Sequence, residues 1–215
     1  MKYIELAIQI AIAVGTVGAV IVALFGDRLR SRPHLIVQLR DAKGYRIDRS
    51  FVRFPDEYVS PSLWFHLKVS NARRSYTTAH ETQLYLLSVQ VPDAAGAFVP
   101  EWSGAIPLQV RDRAAVLSGA TLGPDIEFDL FSVTKNAEMN GAPFLELHPV
   151  IRPNNLKAAT HGPYKSLLTF QARSIEADSE PLNVSIVWDG EWSDDPERMA
   201  RHLVVEMRAG CDKIV

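Results

Sequence analysis

One cysteine, Cys211, stands among 215 residues, so the chain forms no internal disulfide and lies outside the bridged scaffolds of small secreted domains. Asp212 beside it disfavours the thiolate, which makes Cys211 a poor nucleophile. The six histidines (His34, His66, His80, His148, His161 and His202) are scattered singly, with none of the C-x2-C or H-E-x-x-H spacings of zinc sites. Any convergence, such as His66 with His202 from neighbouring strands, would have to come from the fold. No G-x-S-x-G elbow and no glycine-rich phosphate loop is present. Neither a catalytic nor a cofactor-binding pattern is therefore visible. Charge of one sign is lacking too: 23 basic against 25 acidic residues give a net charge of −2. A nucleic-acid binder would carry a basic face or stripe.

What the chain does have is an apolar run from Leu6 to Phe25, interrupted only by Gln9 and Thr16. Twenty such residues predict a helix long enough to cross a bilayer. A cleaved signal peptide fits less well, because only Lys2 precedes the run and no small-residue cleavage step ends it. Arg28, Arg30, Arg32, Arg40 and Lys43 follow the run. This excess predicts a single-pass inner-membrane protein with the N-terminus out and the C-terminal domain cytoplasmic. The organisation expected is a transmembrane helix over residues 1–26 that contacts the bilayer through residues 4–25. A basic linker over 27–33, a β-sandwich domain over 34–210 and a tail over 211–215 follow it. Ala7, Ala11, Gly15, Ala19 and Ala23 recur every fourth residue, a small-residue stripe that marks a candidate face for helix association and homo-oligomers. Ala and Gly are also simply frequent in spanning helices.

From Pro33 onward, short apolar alternations are separated by Gly, Pro, Asn and Asp, the signal of an antiparallel β-sandwich. Strands are predicted near 34–40, 63–70, 83–91, 126–133, 144–148, 165–173, 182–188 and 202–208, with 107–110 a weaker edge. Period-two alternation turns Phe65, Leu67, Val69, Val184, Ile186 and Trp188 inward, and leaves Ser185, Glu127 and Asp129 outside. The best helical candidate after the apolar run is short, Asp195 to Arg201, with Asp195 as N-cap and Pro196 in the first turn. Long loops are expected at 92–101, 111–121 and 152–163.

The strand-rich segments "FHLKVSNARRS" and "LTFQARS…LNVSIVWDGEW" behind an apolar helix resemble bacterial single-pass membrane proteins of no established activity that carry an immunoglobulin-like sandwich. The resemblance implies a mainly β architecture and a membrane address, and the Cys…Trp…Cys spacing of true immunoglobulin domains is missing.

Two surfaces are candidates for a protein partner. In the first, Asp189, Gly190 and Glu191 form a turn bracketed by Trp188 and Trp192. Trp192 on a rigid turn is a candidate hot spot with Asp189 and Glu191 beside it; the alternative is that it packs over the sandwich end. The acids of residues 189–195 also invite a hard cation, but they do not follow the calcium-loop pattern. The second surface is Arg73 and Arg74, a pair able to grip a carboxylate or phosphate. The function expected is a membrane-tethered, non-enzymatic interaction module whose cytoplasmic sandwich binds a protein partner. The alternatives are an oligomerising membrane effector or sensor, and an enzyme built from scattered His, Asp and Glu.

Overall fold

The computed structural model describes residues 12–20, 32–53, 56–72, 79–111, 125–135 and 141–208. The first of these segments is helical, α1 (residues 12–20). Among the described residues no helix is long and apolar enough to cross a membrane. The single-pass, inner-membrane reading is corrected accordingly, and the membrane address with it. Gly15 and Ala19 lie on α1, which is exposed along its length, and a Cβ built on Gly15 would meet nothing within 4 Å. Ala7, Ala11 and Ala23 lie outside the described residues, as do Arg73 and Arg74.

The rest of the described chain is mainly β, in two antiparallel sheets. The first contains β1 (Leu35–Leu39), β2 (Tyr45–Arg53), β3 (Asp56–Asn71), β6 (Ile126–Lys135), β7 (Pro143–Leu147) and β8 (Ala159–His161). Its order is β1-β3-β6-β7-β8, with β2 also paired to β3. The second is ordered β11-β10-β9-β4-β5, from β4 (Gln83–Pro92), β5 (Phe98–Pro107), β9 (Tyr164–Arg173), β10 (Leu182–Trp188) and β11 (Leu203–Arg208). A short helix, α2 (Pro196–His202), links β10 to β11.

An immunoglobulin constant sandwich runs A-B-E-D in one sheet and C-F-G in the other. Here β1, β3 and β6 stand in the places of A, B and E. The strand beyond β6 is β7, which follows β6 in the chain, whereas D precedes E. The two-sheet reading holds, and the immunoglobulin order breaks at β7.

Alternation explains the core. Phe65, Leu67, Val69, Phe128, Leu130, Val184, Ile186 and Trp188 all turn inward and are buried in one apolar cluster drawn from both sheets. Phe65 stacks on Phe131 across the β3–β6 ladder, with ring centroids 4.5 Å apart. Between Phe65 and His66 the register shifts by one residue of β6, so Leu130 and Phe131 are both buried. One side seam is closed by residues 107–111, which leave sheet two at Leu108 N–H to Leu84 C=O (2.9 Å) and join β6 through Asp129 N–H to Gln109 C=O (2.8 Å). At the other seam the Leu39 N–H meets the Met207 sulfur, bringing β1 against β11.

Three surface assignments change. Ser185 lies outside the core face but is buried at 3% exposure by its neighbours on the sheet. Glu127 and Asp129 are half-buried because each holds a cationic or imidazole partner: Arg40 and Arg111 on Glu127, His66 on Asp129.

Phe131 is fully buried and stacked on both counts above, so Phe131→Ala should lower unfolding free energy by about 3–5 kcal/mol. Urea denaturation checks this, and a loss under about 1 kcal/mol would show that the β3–β6 aromatic stack is not a core element.

Candidate functional site: a groove between the two sheets

The turn bearing Trp192 is built from local sequence. Gly190 sits at φ +91°, a left-handed conformation that favours glycine, and a Cβ there would come within 2.9 Å of the Gly162–Pro163 backbone. Asp189 Oδ1 accepts the Glu191 N–H (2.9 Å), and its Oδ2 meets His202 Nδ1 at 2.7 Å. Trp188 is buried and donates its indole N–H to the Glu191 carbonyl (2.9 Å). Asp195 accepts the N–H groups of Glu197 and Arg198 with Pro196 beside it, the N-cap expected of this sequence. Trp192 packs half-buried against the core cluster.

Opposite this turn lies the β1–β2 connection. Asp41 Oδ1 accepts the Lys43 N–H at 2.8 Å, and Gly44 follows at φ +74°. A side chain at Gly44 would collide with Phe65 and Leu63, which is why the turn lies flat on the sheet. Between the two turns opens a groove of about 280 Å³. Leu63 and Met199 form an apolar floor, Trp192 and Pro196 stand on one side, and Lys43 and Arg46 on the other.

The two sheets are clamped across the groove by charge. Arg46 donates to the Asp194 carbonyl (2.7 Å) and to its Oδ1 (3.2 Å), and Lys135 stands 3.7 Å from Oδ2. The Trp192 indole N–H also donates to Asp194 Oδ1 at 3.1 Å, which fixes the orientation of the ring. Lys43 is exposed, and its ammonium holds no counter-ion among the described residues. The Trp192 hydrogen bond, together with the charges of Lys135 and Arg46, holds the Asp194 carboxyl below its usual pKa against a smaller opposing effect of burial. For Asp189, desolvation works upward and is outweighed by the hydrogen bonds of His202 and the Glu191 N–H, so the net direction is again downward.

Of the sequence candidates, the structure brings Trp192 to the groove and leaves Asp189 and Glu191 on the turn behind it. Sequence reasoning missed Lys43, Arg46, Leu63 and Met199, because their meeting depends on β2, a strand whose four charged residues among nine hide its alternation. The acids of residues 189–195 do not assemble as a cation loop: Asp189, Asp194 and Asp195 face His202, Arg46 and two backbone N–H groups respectively. Among the described residues no three His, Cys, Asp or Glu gather to hold a metal ion.

A second polar cluster lies on the outer face of sheet one. Trp64 stacks on His148 (4.4 Å between centroids) and, farther off, on His66 (6.4 Å). Ser132 Oγ meets His148 Nε2 at 2.9 Å, and His66 Nε2 lies 3.2 Å from Asp129. A serine beside a histidine has the outline of a nucleophile and its base. Ser132 is only 1% exposed, however, and Asp129 orients His66 and not the histidine that meets the serine. The cluster satisfies buried polar groups across neighbouring strands. His66 and His202 do not converge: the first lies within sheet one, the second ends α2 against Asp189.

Comparison with protein-family models, with curated proteins and with solved structures gives no match for this chain.

Because Asp194 and Asp189 titrate low, the stability each adds is present above the unfolded carboxyl pKa near 3.8 and is lost as pH falls through the lowered folded value. Acidification below about pH 4 should therefore shift tryptophan fluorescence as the Trp192–Asp194 bond breaks. Asp194→Asn should remove most of that low-pH step; a titration unchanged by the substitution would contradict the assignment.

Proposed function

We propose that the protein is a non-enzymatic interaction module that seats a short segment of a protein partner in the groove between the β1–β2 turn and the turn leading into α2. The observation that carries this reading is the composition of the groove: an apolar floor and a held indole beside an ammonium with no counter-ion among the described residues. Its volume of about 280 Å³ lies at or below the roughly 300–1,000 Å³ of sites that enclose a whole small ligand. One or two side chains of a longer segment suit it better. Tryptophan is over-represented among the residues that dominate protein interfaces, and here it stands preorganised. The fitting segment has an apolar side chain for Leu63, Met199 and Trp192, with a carboxylate next to it for Lys43. Asp41 shares the rim, with one of its oxygens accepting the Lys43 backbone N–H, so the rim presents a carboxylate as well as the Lys43 ammonium.

Selection of a displayed random-peptide library on the immobilised protein tests the proposal. Enriched sequences should share an apolar residue adjacent to Asp or Glu. Trp192→Ala should weaken their binding by about 2 kcal/mol, some thirtyfold, and Lys43→Glu should turn the charge preference toward Lys or Arg. Absence of an enriched family, or enrichment indifferent to both substitutions, would overturn the reading.

A further inference from the structure

We infer that the bound segment is an extended strand that adds to the free edge of β2, so that one chain of acidic and apolar residues both lengthens sheet one and fills the groove. This rests on the groove reading above. β2 runs for nine residues and pairs with β3 in an unbroken register, Tyr45 opposite Trp64 through Arg53 opposite Asp56. Among the described residues nothing pairs with its other edge. Natural sheets protect such edges with proline, bulges or brevity. β5 carries Pro100 and Pro107 and two register breaks, and β8 is three residues long. At β11 the Leu203 N–H is bonded to Met199, and Met207 meets β1. β2 has none of these three devices; its edge carries charge instead, with Arg46, Asp48, Arg49 and Arg53 among its nine residues, so an added strand has to bring complementary charge.

Hydrogen-bond alternation says which groups are on offer. The Arg40 N–H donates to the His66 carbonyl and the Ala72 N–H to the His34 carbonyl, so the even-numbered residues of β3 turn their backbone groups toward β1 and, further along the same edge, toward β2. In the register given, those even residues face the odd residues of β2. The N–H and C=O groups of Arg46 and Asp48 consequently point to the open edge. The Arg46 side chain falls on the inner face with Leu63 and lines the groove. Every second side chain of an added strand falls on that same inner face, over Leu63 and Met199, where Lys43 supplies the charge that selects a carboxylate. This is strand addition, in which the main chain gives affinity and pockets for alternate side chains give specificity.

Two measurements on an enriched peptide decide the matter. Methylating its backbone nitrogens one at a time should lower affinity tenfold or more at alternate positions only. In the protein, Asp48→Pro removes an edge N–H while leaving the β2–β3 ladder intact, and proline is tolerated where the N–H faces outward. It should cost tenfold or more in binding, with circular dichroism and the thermal midpoint nearly unchanged, whereas Asp48→Ala should bind within about twofold of the parent. A methylation scan without a two-residue period, or Asp48→Pro binding as Asp48→Ala does, overturns strand addition. If Trp192→Ala still abolishes binding in that case, the groove reading survives by itself. If Asp48→Pro does not fold, the methylation scan on the parent protein decides alone, and a library that yields no peptide overturns both.

Discussion

The strand β3 is the constraint on which the rest of the structure depends. Its sixteen residues pair with β1 and β2 along one edge and with β6 along the other. Because side chains alternate strictly across a strand, this one register fixes three things together. Phe65, Leu67 and Val69 go to the core. Trp64, His66 and Lys68 go to the outer face. Leu63 falls on the inner side just where β1 gives way to β2, beneath the groove. A slip of one residue would exchange these sets and bury Lys68 in the apolar cluster, at several kcal/mol for an unpaired charge.

Where the two sheets are not sealed by backbone pairing, electrostatics takes over. One seam is closed by residues 107–111, which hydrogen-bond to both sheets. The other is closed at one end where β1 meets β11 and stays open beside β2. There Asp194 gathers Arg46, Lys135 and the Trp192 indole. These side chains are largely exposed, so the individual ion pairs add little stability. Their consequence is geometric: three groups from three segments hold one indole ring at the edge of an apolar floor. Preorganisation of that kind reduces the entropy cost of binding a partner.

The apolar N-terminal run and the turn around Trp192 show where sequence reading fails and where it succeeds. Hydropathy over Leu6–Phe25 measures how strongly residues avoid water, and by itself it does not establish a membrane span; among the described residues no helix is long and apolar enough to cross one. The Asp195 cap and the burial of Trp188 against half-exposed Trp192 were legible, because caps and alternation act within a few residues. β5 was not legible, since residues 92–101 read as a loop and only 107–110 as a weak edge, whereas the strand runs Phe98–Pro107. Its pairing with β4 outweighs that local propensity.

The sequence by itself determined the mainly β class, the inward faces of β3, β6 and β10, and the capped turn into α2, all of which follow from periods of two or from contacts between near neighbours. Only the tertiary structure decided the groove. Lys43 and Arg46 lie well over a hundred residues from Trp192 and Asp194 in the chain, and no local pattern encodes the pairing that brings them together. It took the register of β2 on β3 and the stacking of one sheet on the other to place an ammonium, an indole and an apolar floor around a single opening. Side-chain chemistry is written residue by residue, but the distance between residues remote in the chain is set by backbone pairing and core packing.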